Sequence, residues 1–133
     1  MNLQALCKRW QKLFRLQDWD ITVEVMGVVA YHKLEVSRGW EAGVSNAHNV
    51  INSDRKKAEI FVSIDAPDKK TSLAHELVHI LVNPLHLSAK STLDCVPSKD
   101  VSDIMATHIE EGLELVVYAV SRALLSAESA EYK

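Results

Sequence analysis

The residues with the most chemistry in them stand close together. They are His75, Glu76 and His79 within Thr71-Ser72-Leu73-Ala74-His75-Glu76-Leu77-Val78-His79-Ile80-Leu81-Val82. On an α-helix, positions i and i+4 share a face one turn apart, so both imidazoles can turn a nitrogen toward one ion. Two convergent imidazoles suit zinc. Glu76 lies about 100° around the helix from His75, where its carboxylate can lean over the ion's open side without ligating it. A carboxylate there is placed to act as general base toward a zinc-activated water, because zinc brings the pKa of that water down to about 7.

The competing explanation is a pair of hydrogen-bonded core histidines. Leu73, Leu77, Ile80, Leu81 and Leu85 make the segment apolar on most sides, which predicts a buried central helix. Two histidines and a glutamate inside such a helix would each cost a few kcal/mol if left without partners. A metal satisfies all three needs together.

A catalytic zinc commonly takes three protein ligands and leaves a position open. A third histidine six residues after the second, preceded by a glycine, is excluded. Leu85 and Val82 occupy those places, and His86 follows Pro84. The third ligand therefore has to come from elsewhere, and the later segment with His108, Glu110, Glu111 and Glu114 offers it. Glu110 continues the apolar row Leu113, Val117, Val120 and Leu124 and so should face the core. Glu111 shares a face with His108, Leu115 and Tyr118 and is the alternative, with His108 a third choice. Glu114, one turn beyond Glu110, is placed to accept from the outer N–H of a ligating histidine and fix its tautomer. Cys95 could offer a thiolate, although an idle cysteine is the simpler account.

Around these residues the pattern predicts the following elements. Leu3, Leu6, Cys7, Trp10, Leu13 and Phe14 recur at helical spacing, giving an amphipathic helix over 2–17 that packs on its own domain. Ile21, Val23 and Val25 alternate with polar residues as a strand. Residues 27–39 are ambiguous, since Val28-Val29-Ala30-Tyr31 could extend a strand. Segments 43–51 and 58–64 read as two strands joined by the turn residues Asn52-Ser53-Asp54-Arg55 into a hairpin. The metal-bearing helix should run from Asp68 to Val82 and stop before Pro84. A polar surface loop over 85–97 and a long helix from Ser98 or Asp100 to Ala127 follow, with 128–133 as a flexible tail.

The chain has 133 residues, 47% apolar and 25% charged, which predicts a single globular domain over 1–133. A formal charge of −3 and no basic stripe speak against nucleic acid. The two cysteines do not form a secreted disulfide framework. No run reaches the length of a signal-peptide core or a membrane span, so the expected location is cytoplasmic.

Together these residues resemble a minimal gluzincin-type, zincin-like metallopeptidase domain of the kind found in phage and prophage sequences. The likeness is carried by His75-Glu76-Leu77-Val78-His79 followed by Pro84-Leu85, by the Glu110-x-x-x-Glu114 spacing, and by the strands around Trp19-x-Ile21-x-Val23 and Ala58-Glu59-Ile60. It implies an α+β fold with an N-terminal helix, a small, mainly antiparallel sheet of three to four strands, the H-E-x-x-H helix and a long C-terminal helix. It also implies Zn²⁺ held by His75, His79 and Glu110, Glu76 as general base, and peptide-bond hydrolysis. An extended peptide or protein substrate would align on an edge strand, for which Ala58 to Ile64 is the expected segment because it leads into the metal helix. The oxyanion partner is open among Tyr31, His32, Tyr118 and Tyr132. The second functional class is a non-catalytic, zinc-stabilised protein-binding module of the same fold, for which Glu76 would have no use.

Overall fold

The computed structural model describes residues 2–131, with side chains described through residue 129. The elements are α1 (Leu3–Leu13), β1 (Asp20–Met26), α2 (Val28–Arg38), β2 (Ala47–Asn52), β3 (Lys57–Ser63), α3 (Lys69–Asp94) and α4 (Lys99–Glu131). They fall into two compact units, one ending at Ile80 and one beginning at Leu81, with α3 passing from the first into the second. Among the described residues, no helix is long and apolar enough to cross a membrane.

In the first unit, α1 starts at Asn2, whose Oδ1 accepts from the Ala5 N–H at 3.1 Å. It ends earlier than the sequence pattern predicts, because Arg15 turns into the left-handed region at φ 55°. The buried Gln11 side chain holds that turn, donating to the carbonyls of Leu16 at 2.9 Å and Trp19 at 3.0 Å. Leu3, Leu6, Cys7 and Trp10 form its buried stripe, and the helix packs on β1. Residues 28–38, left ambiguous by sequence, are helical. Gly39 closes α2 at φ 71° with its N–H on the last turn, a C-cap that costs glycine little.

The sheet has three strands in the order β1-β3-β2. The hairpin of β2 and β3 is antiparallel, as expected, but β1 runs parallel to β3. The sheet is therefore mixed rather than mainly antiparallel. The chain leaves β1 through α2 into β2, and the β2–β3 hairpin then reverses it so that β3 runs in the sense of β1. The segment 58–64 is also not an edge. β3 is paired on both sides and occupies the centre, with Ile60, Phe61 and Val62 all buried, the run of apolar burial expected of an inner strand.

The edges are β1 and β2, and they differ. Ser63 N–H donates to the Asn46 carbonyl at 2.9 Å, so the hydrogen-bonded pairs two and four residues on are His48 with Phe61 and Val50 with Glu59. The backbone groups of Ala47, Asn49 and Ile51 thus point away from β3. On β1 the outward groups belong to Ile21, Val23 and Val25, and Gln4 takes one from each of the first two. Its Nε2 donates to the Ile21 carbonyl at 2.9 Å and its Oε1 accepts from the Val23 N–H at 2.8 Å. One side chain from α1 imitates a neighbouring strand there and blunts the edge.

Asp68 caps α3. Its carboxylate accepts from the Thr71 N–H at 3.1 Å and the Thr71 hydroxyl at 2.6 Å, and these hydrogen bonds hold its pKa below the usual value. Leu73, Ala74, Leu77, Val78 and Ile80 are buried, as a central helix requires. The expected stop at Pro84 does not occur; the helix continues to Asp94 and replaces most of the predicted loop. Pro84 removes only the hydrogen bond to the Ile80 carbonyl, and favourable positions on both sides carry the helix through. The boundary between the two units lies at that same Ile80.

In the second unit, Ser98 caps α4, its carbonyl accepting from the Ser102 N–H at 3.0 Å. Val117, Ser121, Leu124 and Glu128 form a buried row on α4. The helix runs to Glu131 with Glu128 buried, so the segment from 128 to 131 is not the frayed tail predicted; residues 132 and 133 lie outside the described residues.

Two measurements test this unit architecture. Gln4→Ala should lower the unfolding free energy by about 1–3 kcal/mol in urea titrations, since it removes two hydrogen bonds to strand backbone. Burial pushes the Cys7 thiol up to about 11. A thiol held neutral in the folded chain but ionising near 9.0 when unfolded stabilises the fold fully at lower pH, and that contribution is lost as pH rises from about 9 to about 11. The slope should be at most about 1.4 kcal/mol per pH unit and should disappear in Cys7→Ala.

Candidate metal centre

The cap at Asp68 sets the register that puts His75 and His79 on one side of α3, both half-buried. Their Nε2 atoms are 3.2 Å apart, with ring centroids separated by 4.9 Å and planes at 70°. Zinc–nitrogen bonds of about 2.0–2.1 Å at a tetrahedral angle place two ligand nitrogens about 3.3–3.4 Å apart. The 3.2 Å pair is close to the spacing that two ligands of such an ion would need. The same separation lets one neutral ring donate to the other.

Glu76, between them in sequence, is only 7% exposed. Its Oε2 accepts a hydrogen bond from Asn49 Nδ2, which reaches it from β2. Asn49 shares its sheet face with Ile60 and Val23 by register. Sequence analysis singled out neither this asparagine nor its role. The signal was its position: a polar residue at an inward place in the alternation Ala47, Asn49, Ile51.

A second polar cluster holds the segment entering β2. Glu35 of α2 is 2% exposed, and its Oε2 lies 2.8 Å from His48 Nε2. Its Oε1 accepts from the Gly43 N–H at 3.4 Å. The His48 ring stacks on Trp40 at 4.3 Å and on Tyr31 at 5.7 Å between centroids. The Tyr31 hydroxyl donates to the Ser45 carbonyl at 3.1 Å. Burial raises its pKa, and the nearby charges of Glu35 and Glu76 raise it further. Four side chains from α2, the connecting segment and β2 thus tie residues 40–48 in place.

Of the other residues proposed as oxyanion partners, His32 is exposed on α2, Tyr118 is exposed on α4, and Tyr132 lies outside the described residues. In the second unit, His108, Glu110 and Glu111 are exposed and Glu114 is half-buried. Glu110 stands in the row that becomes buried from Val117 onward, as its spacing implies, but at a level where that row is still open. It lines a groove of about 280 Å³ with His86, Lys90, Asp94, Ser102 and Ile109. Cys95 is exposed and its thiol contacts the Ser91 carbonyl at 3.6 Å.

No protein-family model, curated protein or solved structure matches the chain.

Removing His48 would leave the buried Glu35 carboxylate without its imidazole partner. His48→Ala should therefore cost about 2–5 kcal/mol in urea unfolding. Replacing Glu35 and His48 together by Leu and Phe should cost less than His48→Ala alone.

Proposed function

We propose that this chain is a zinc-dependent metallopeptidase of the gluzincin type. The observation that carries the proposal is the grouping of two imidazole nitrogens 3.2 Å apart with a buried, hydrogen-bonded carboxylate one residue from the first histidine. A structural metal site needs the histidines and has no use for the carboxylate. A hydrolase needs all three.

His75 and His79 would hold the ion, and a carboxylate from the Glu110-Glu111-x-x-Glu114 stretch would complete the set. The bound ion would supply a water of lowered pKa and polarise the scissile carbonyl. Glu76 would take the proton from that water as it adds to the scissile carbonyl and deliver it to the amine nitrogen, after which the peptide C–N bond breaks. The substrate would be an extended peptide or protein segment, added as a strand to the outer edge of β2 rather than to the central β3.

Protein purified without added metal should carry about one zinc per chain by elemental analysis. Glu76→Gln should keep the zinc and lose about 100-fold or more of casein hydrolysis. Zinc retained with casein hydrolysis absent even in the wild type would instead favour a zinc-stabilised binding module. No zinc after loading would return His75 and His79 to the role of core histidines. Alanine at Glu110, Glu111 and Glu114 in turn identifies the third ligand as the position whose loss weakens zinc binding most.

A further inference from the structure

We infer that Asn49 is a positioning residue that couples peptide docking on β2 to the orientation of Glu76. The inference rests on the metallopeptidase proposal above and extends it to a residue outside the H-E-x-x-H segment.

The first observation is the hydrogen bond from Asn49 Nδ2 to Glu76 Oε2. A glutamate has three rotatable side-chain bonds, and a general base is effective only when its oxygen meets the proton at hydrogen-bond distance. Asn49 removes much of that freedom. It does so without adding charge, so the carboxylate remains an acceptor.

The second observation is the ladder pattern. His48 and Val50 spend their backbone groups on β3, whereas the N–H and C=O of Asn49 are directed outward from the sheet. An extended peptide joining this edge would pair with the backbone of the very residue whose side chain holds the base. On the opposite edge Gln4 already occupies the Ile21 carbonyl and the Val23 N–H. The strand itself is anchored from behind by the Glu35–His48 pair and by Trp40 stacked on His48. Docking therefore meets a fixed template. The backbone of Asn49 contributes to substrate affinity and its side chain to the chemical step.

That division of labour is measurable. Zinc-loaded wild type, Asn49→Ala, Asn49→Ser and Glu76→Gln are compared on fluorescein-labelled casein, with zinc content determined for each. Asn49→Ala should lower kcat by about 10- to 100-fold, the usual cost of removing a group that orients a catalytic one. Its KM should stay within about twofold, because the backbone edge is unaltered. Zinc content should not change, and Asn49→Ser, which keeps a short donor, should recover part of kcat. Independently of turnover, the Asn49 side-chain NH₂ resonances should lie downfield in the wild type and move in Glu76→Ala.

Wild-type kcat in Asn49→Ala, alongside an inactive Glu76→Gln, would overturn the inference while leaving the peptidase proposal standing. So would a loss carried wholly in KM. If wild type fails to hydrolyse casein, the peptidase proposal fails, and the amide comparison then decides alone. Unmoved Asn49 resonances in Glu76→Ala overturn the coupling, and displaced ones support it.

Discussion

A carboxylate withdrawn from water must find donors inside the protein, and Glu76 finds one in Asn49. Much of the first unit can be understood as the set of supports that this single hydrogen bond requires. α3 must begin at the correct residue, which the Asp68 cap ensures. β2 must sit at a definite register against β3, which the hairpin provides. The segment leading into β2 must not wander, and Glu35, Trp40, Tyr31 and His48 hold it. Each support is local and simple. Their combined effect is to bring a side chain from the sheet to the one carboxylate on α3 that lies between two histidines.

The sheet solves a separate problem with the same economy. Three strands leave two edges, and exposed edges invite unwanted pairing. A glutamine from α1 takes two of the outward backbone groups of the β1 edge, and the β2 edge keeps those of Ala47, Asn49 and Ile51. The two edges are thus unequally covered. The outward backbone of Asn49 on the less covered edge lies beside the side chain that reaches Glu76.

How far the sequence announces all this depends on the range of the interaction. The helical spacing of Leu3, Leu6, Cys7 and Trp10, the alternation of Ile21, Val23 and Val25, and the hairpin around Asn52 to Arg55 are local patterns, and each element is found where they place it within a few residues. The His75, Glu76, His79 grouping is local too, and its helix begins where the sequence predicts. Non-local features were not legible. Nothing in residues 58–64 reveals whether that strand is central or at an edge, since its position depends on β1 returning in the parallel sense. Pro84 is a strong local stop signal, yet α3 continues through it because one missing hydrogen bond in a helix of 26 residues is a bearable loss. Glu110 has the right angular position but not the burial that the spacing suggested, because periodicity reports direction around a helix and not depth along it. Asn49 and the Glu35–His48 pair join residues 27 and 13 positions apart, beyond the reach of any periodic pattern.

The adjacency of His48 and Asn49 on one strand has a consequence for how this hairpin finds its pairing. Successive residues of a strand face opposite ways, so the two serve carboxylates on opposite sides of the sheet. A slip of β2 by one residue would put His48 and Ala47, or Val50 and Asn49, in the places from which Asn49 and His48 reach Glu76 and Glu35. Both buried carboxylates would lose their partners in the same mistake. Misregistered hairpins are thus penalised twice, and the polar residues that prepare the site also proofread the assembly of the sheet that carries it.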